Sequence, residues 1–254
     1  MTRFVRKNAG TSHSYTLDGA RIPGVTTVIG ILDKPALVNW AARETASYAD
    51  ANWDKLSAMR SGDRIPLMEK ARYNTNRKAV VKGNRIHDLG EKLANGEAVD
   101  VPMEIRSQVE AYAKFLDQWD LNVVATETPV CHTDWAFGGT FDLIAESPRF
   151  GRALMDIKTG KGVYSETALQ LNAYANCDLR LVAEEITGPR GGVKVEWREA
   201  PMVQVDSLLV AHVLEDDVEL IPVGGAGAQL AEPDPAAFES FLHRSEEHTS
   251  ELQS

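Results

Sequence analysis

Residues Thr140–Gly160 read TFDLIAESPRFGRALMDIKTG, and their reading decides the fold. Two apolar runs flank a Ser147-Pro148 turn. Phe141, Leu143 and Ile144 surround Asp142, and Ala153, Leu154, Met155 and Ile157 surround Asp156 and lead to Lys158. Runs of this length beside a turn signal are strands. A core strand has no use for bare carboxylates, because an unpaired buried charge costs several kcal/mol. Two acids and a lysine at the ends of adjacent strands therefore point to a cation that holds them together. Asp156 and Lys158 stand two apart, on one face of their strand.

Working outward, Asn122–Cys131 (NVVATETPVC) reads as a further strand containing Glu127, and His132–Gly139 as a turn ending in Gly138-Gly139. Three consecutive strands with short links predict an antiparallel meander. Upstream, Asn76–Asn95 has helical spacing, with Ala79, Gly83, His87, Gly90 and Ala94 on one face. Two glycines inside a helix cost roughly 1 kcal/mol each against alanine, so another element should approach closely there. His87 would project into whatever that element carries. Asn95-Gly96 ends this helix, and the next has Ile105, Val109, Tyr112, Leu116 and Trp119 as its buried stripe. Downstream, Ser165-Glu166 opens a helix on which Gln170 and Tyr174 share a face.

The remaining elements are simpler. His13–Arg21 is a hairpin around Asp18-Gly19, Val25–Leu32 is too short to assign, and Lys34-Pro35 opens a helix. Asn52–Asn74 reads as basic helix with a loop at Ser61-Gly62-Asp63. Val193–Trp197, Met202–Val205, Leu208–Leu214 and Val218–Val223 read as strands, the last two joined by a turn at Glu215-Asp216-Asp217. Pro235–His243 begins a helix.

The 254 residues carry a formal charge of -10, unevenly distributed. Residues 1–85 hold 15 Lys/Arg and 7 Asp/Glu, and Arg60–Arg85 alone holds 8 against 2. An acidic protein with one basic segment can still bind a polyanion, because salt screens distant charge within about 10 Å. The start, MTRFVRKNAG, is unlike a signal peptide, and no apolar run reaches the roughly 18 residues of a membrane span. Two cysteines, Cys131 and Cys177, provide neither a disulfide framework nor a four-cysteine metal site. A cytoplasmic setting and no membrane partner are expected. The last eleven residues, RSEEHTSELQS, look like a sequencing-adapter oligonucleotide read in frame, so Arg244–Ser254 is read as a non-native tail and given no functional weight.

Each polar outlier also has a plain structural reading. His87 alone suits a satisfied core histidine, Asp142 a strand edge, Asp156 and Lys158 an exposed ion pair worth at most about 1 kcal/mol, and the basic segment a solvated helix face. Their order is more specific: Gly83-x-x-x-His87, Glu127, Gly139-Thr140-x-Asp142, Asp156-x-Lys158, Gln170-x-x-x-Tyr174. Over Gly83–Tyr174 this resembles the PD-(D/E)xK nuclease superfamily, in its RecB-like and bacteriophage exonuclease branch.

The resemblance implies an α/β fold: a central mixed β-sheet flanked by helices, a restriction-endonuclease-like core, with an N-terminal helical segment. It implies Mg²⁺ or Mn²⁺ held by His87, Asp142, Asp156 and the Ile157 carbonyl. Glu127 takes the place of an acid that reaches the metal through water. Lys158 orients or deprotonates the attacking water, so Lys158, Asp156, Asp142 and Glu127 form the catalytic set. Oxygen ligands suit Mg²⁺, and one imidazole tilts the site toward Mn²⁺. Gln170 and Tyr174 contact nucleic acid or brace the site, and Arg77, Lys78, Lys82 and Arg85 take DNA phosphates. The implied organisation is a hairpin and basic segment over 1–75, a nuclease core over 76–243 and the tail over 244–254. The implied activity is a metal-dependent deoxyribonuclease, exonuclease favoured, acting in phage recombination or replication in the cytoplasm of a bacterial or phage-infected cell. A homo-oligomer or a recombination protein is the further partner expectation. A catalytically silent DNA end-binding protein of the same fold and a structure-selective endonuclease are the alternatives.

Overall fold

The three-strand meander is present at the centre of the large sheet. A computed structural model describes residues 3–9, 12–31, 35–160, 162–187, 193–223 and 233–253. In chain order its elements are β1 (Phe4–Ala9), β2 (Ser12–Leu17), β3 (Ala20–Ile22), α1 (Val25–Ile29), α2 (Pro35–Ala51), α3 (Trp53–Ser57), α4 (Ser61–Ala94) and α5 (Arg106–Gln118). There follow β4 (Asn122–His132), β5 (Phe137–Ser147), β6 (Gly151–Lys158), α6 (Glu166–Ala175), β7 (Leu179–Thr187), β8 (Val193–Pro201), β9 (Ser207–Val213), β10 (Val218–Pro222) and α7 (Pro235–Gln253).

The large sheet has seven strands in the order β10-β9-β6-β5-β4-β7-β8. β4, β5 and β6 are antiparallel neighbours, whereas β6 and β9 run parallel, in register from Ala153↔Ser207 to Lys158↔His212. The fold is therefore α/β with a mixed sheet flanked by helices. β9 is buried along its whole length, as expected of a strand covered on both faces. α6 packs on β5 and β6 and is met by α1 and α7, while α5 packs on β9 and β10. Leu143, Ile144, Leu154, Met155 and Leu208 are at most 1 % exposed, which puts the core under the strands that carry the acids.

The chain divides into two compact units, Met1–Ile31 with His87–Ser254, and Leu32–Ile86. In the first, β1, β2 and β3 form a separate antiparallel sheet. Asp18 and Gly19 both have positive φ (49° and 83°), the geometry of a two-residue hairpin turn whose twist suits its strands. Phe4, Tyr15, Leu17 and Ile22 of this small sheet share a cluster with Cys131 and Leu181 of the large one. The second unit holds α2, α3 and most of α4.

Several local readings differ from the structure. The helix expected over Asn76–Asn95 begins at Ser61, where the Arg60 carbonyl accepts from the N–H groups of Asp63 (2.9 Å) and Arg64 (3.0 Å), so there is no loop there. Its end is as read: Gly96 has φ 75°, and the Gly96 and Glu97 N–H groups close onto the Leu93 and Lys92 carbonyls, each at 2.9 Å. Gly138-Gly139 is not turn but strand, pairing with Cys131 and Val130. These glycines allow close approach. A Cβ on Gly138 would lie 3.1 Å from the Tyr15 ring, and one on Gly139 would lie 2.3 Å from Tyr174 Cε1. β1 and β7 are present in addition to the expected strands, and the outer half of β7 is exposed. Met202–Val205 forms no strand, and its course is set by the Met202 N–H on the Asp178 carbonyl at 3.0 Å. Val25–Ile29 is helical; Leu32 and Lys34 lie outside the described residues.

Candidate metal centre

Strand register brings the acids into one row. β4 pairs with β5 as Thr126↔Leu143 and Thr128↔Phe141, so Glu127 stands opposite Asp142. β5 pairs with β6 up to Leu143↔Met155, and the next residues across that ladder are Asp142 and Asp156. Directly opposed residues of antiparallel strands share a face. Past Leu143↔Met155 the ladder gives way to a side chain: the Ile157 N–H donates to Asp142 Oδ2 at 2.8 Å. Glu127 has φ 39°, an uncommon conformation for a non-glycine residue and one that often marks functional positions.

His87 reaches this row from α4. One ring nitrogen, Nε2, lies 2.6 Å from the Ile157 carbonyl oxygen, and Nδ1 lies 3.7 Å from Asp142 Oδ2. One ligand atom from each of His87, Glu127 and Asp142 lies within 4.8 Å of the others. Opposite ligands in an octahedral Mg²⁺ shell are about 4.2 Å apart and adjacent ones about 3 Å. The three donors are thus gathered closely enough to close around one cation, with the Ile157 carbonyl beside His87. One imidazole, two carboxylates and a carbonyl are a donor set that Mg²⁺ and Mn²⁺ both accept. Glu127 stands with the direct donors, closer than the water-mediated place implied for it.

Asp156 is placed differently. It is 2 % exposed, stands outside that donor group, and pairs with Lys158 Nζ at 2.7 Å. Gln170 Nε2 donates to its other oxygen at 3.0 Å. Gln170 also lies 3.4 Å from the Tyr174 hydroxyl, and Tyr174 is 3 % exposed with its ring against Gly139. Of the two roles expected for Tyr174, its burial serves the bracing one. Arg77, Lys82 and Arg85 are exposed on α4, and the side chain of Lys78 lies outside the described residues.

Electrostatics follow from the crowding. Burial, then the charge of Asp142, then that of Glu91 push the Glu127 carboxyl up to about 7. Burial and then Asp142 push Asp156 up to about 6, and the opposing pull of Lys158 does not cancel them. Like charges in a desolvated row cannot all ionise without compensation. A cavity of about 290 Å³, lined by Arg6, Asn8, Glu91, Glu127 and Trp197 among others, opens beside Glu127.

Glu91 was missed in the sequence, although it follows His87 by one helical turn. It faces Thr126 (3.5 Å between Oε1 and Oγ1), and burial raises its carboxyl pKa. The i, i+4 spacing to His87 was the available signal. His212 was also missed. It is 5 % exposed, in register with Lys158, and bonded to the Gly160 carbonyl at 2.8 Å. No helix among the described residues is long and apolar enough to cross a membrane. No protein-family model matches the chain, and no curated protein matches it.

Proposed function

We propose that this protein hydrolyses DNA phosphodiester bonds in a Mg²⁺- or Mn²⁺-dependent reaction, acting from DNA ends. One observation carries the reading: His87, Glu127, Asp142 and the Ile157 carbonyl converge beside the pair that Lys158 makes with the buried Asp156. Their order along the chain is the order in the PD-(D/E)xK superfamily, which favours a nuclease over other metal hydrolases.

When bound, such a cation neutralises phosphate charge and lowers the pKa of water. The chain's own residues do the rest. His87, Glu127 and Asp142 would hold the cation, which would supply the positive charge that draws in the phosphate. Asp142 also anchors the Ile157 N–H, so that Asp156 and Lys158 keep their places on either side of Ile157. Asp156 aims the Lys158 side chain, which is 34 % exposed and open to an attacking water that it would orient. Gln170, braced by Tyr174, holds the far oxygen of Asp156. Arg77, Lys82 and Arg85 are assigned to the DNA backbone, where cationic side chains displace condensed counterions.

The test compares linear duplex, closed circular and single-stranded DNA, each with Mg²⁺, with Mn²⁺ and with chelator. Cation-dependent loss of linear DNA with circles spared is the expected result. Cutting of closed circles would replace exonuclease with endonuclease action. Retained binding with no degradation of any substrate would make the protein a silent end-binder.

A further inference from the structure

Tyr112 on α5 is 1 % exposed, and its hydroxyl has no hydrogen-bond partner among the described residues. A buried donor left unmade is costly, and phenylalanine would fill the same apolar stripe without that cost. The ring already packs as phenylalanine would, 5.9 Å from the Phe115 ring. Packing therefore explains the ring and leaves the hydroxyl unexplained.

The position of the hydroxyl suggests its use. The Tyr112 ring lies on Gly90, three residues after His87 on α4. A Cβ at Gly90 would meet Cε1 at 3.2 Å and Cζ, the carbon that bears the hydroxyl, at 3.7 Å. Helical Cα–Cβ bonds tilt toward the N-terminus, so the space before Gly90 overlies the turn that carries His87. This accounts for glycine at 90: a side chain there would press on the edge of the Tyr112 ring, one helical turn from His87. The charge of Asp142 is near enough to act on the phenol, adding to burial in raising its pKa.

We infer that the Tyr112 hydroxyl is an outer member of the cation site, donating its proton to the oxygens gathered around Asp142 once a divalent cation is held there. The inference rests on the cation site proposed above. Groups that hydrogen-bond metal ligands commonly tune affinity 10- to 100-fold, roughly as much as some ligands do. Tyr112 would thus weaken the empty protein and strengthen the loaded one. A residue with only a packing role cannot have both effects.

Calorimetric titration of Mn²⁺ into the full chain, with thermal unfolding in chelator, tests this on wild type, Tyr112→Phe and His87→Ala. Tyr112→Phe should raise the cation-free Tm by about 2–4 °C while weakening Mn²⁺ binding about tenfold or more. His87→Ala should bind Mn²⁺ still more weakly. If Tyr112→Phe binds Mn²⁺ within about twofold of wild type, the hydroxyl has no part in the site. A lower cation-free Tm with unchanged affinity makes Tyr112 purely structural. If wild type itself takes up no Mn²⁺, the cation site fails, and this inference with it.

Discussion

The raised carboxyl of Glu127 makes the cation-free protein lose stability as pH rises, and the size of the loss follows from the structure. An acid whose pKa is higher when folded holds its proton more tightly in the native state. Stability is then greatest below the unfolded pKa and falls until the folded pKa is passed. For Glu127 the window runs from 4.5 to about 7. At 1.36 kcal/mol per pK unit the loss is about 3 kcal/mol, or about 6–12 °C in Tm for a protein of this size. Asp156 acts over a lower window, from 3.8 to about 6. The two losses are not additive, because both acids lie in the field of Asp142.

The windows separate the residues. Between about pH 6 and pH 8, wild type in chelator should go on losing stability, whereas Glu127→Gln should be flat. Mn²⁺ should invert the profile, because protons compete with it for the carboxylates, so cation-induced stabilisation grows as pH rises. Differential scanning calorimetry at a series of pH values, with chelator and with Mn²⁺, measures all of these. A wild-type profile that is flat above about pH 6 in chelator, or a Glu127→Gln profile with the full wild-type slope, would refute the reasoning.

Other perturbations have equally definite outcomes. Gly139→Ala puts a Cβ 2.3 Å from a buried ring, so overpacking should cost about 1–3 kcal/mol, and nuclease activity should fall as Tyr174 and then Gln170 shift; unfolding and cleavage assays measure the two. Lys158→Ala should cut hydrolysis about 10²- to 10⁴-fold, while Asp156, deprived of its partner at 2.7 Å, takes up a proton; the variant should fold normally in mild acid and lose stability toward alkaline pH. Replacing Arg77, Lys82 and Arg85 together by alanine should lower the slope of log binding constant against log salt by roughly 3, with thermal stability unchanged, as read from DNA-binding isotherms at several salt concentrations.

The row of acids was only partly legible in the sequence. Alternation around Asp142 and Asp156, and a turn between them, are local features, so the meander and the Asp142/Asp156 alignment could be read directly. Glu127 is another matter. Near the start of β4 the pairing is Asn122↔Glu146 and Val123↔Ala145; continued without interruption, it would put Thr126 opposite Asp142 and turn Glu127 to the other face. A bulge between Val123 and Ala125 shifts the register by one residue and brings Glu127 round. No glycine or proline marks that bulge, so nothing local announces it. The Gly138-Gly139 pair failed for the opposite reason. Its glycines answer to Tyr15 and Tyr174, which are far away in sequence, and glycine before a strand is read by default as turn. Tyr112 shows the same limit: helical period 3.6 predicts its burial but says nothing of where the hydroxyl points.

Charge explains why this arrangement suits a divalent cation better than a proton or a second lysine. Ionised, Glu127, Asp142 and Asp156 bring three negative charges, and Lys158 meets one of them through Asp156. The remaining deficit of two sits between α4 and the sheet, where burial raises its cost. A proton on Glu127 relieves half of it, which is what a carboxyl pushed up to about 7 expresses. A second lysine would bring one charge and leave half of the deficit in place. A dication carries the full two charges within about 2.1 Å of each donor. The raised pKa of Glu127, the close donors and the single paired lysine are thus what the proposed site requires: a pocket that would hold a proton when empty and release it to a divalent ion.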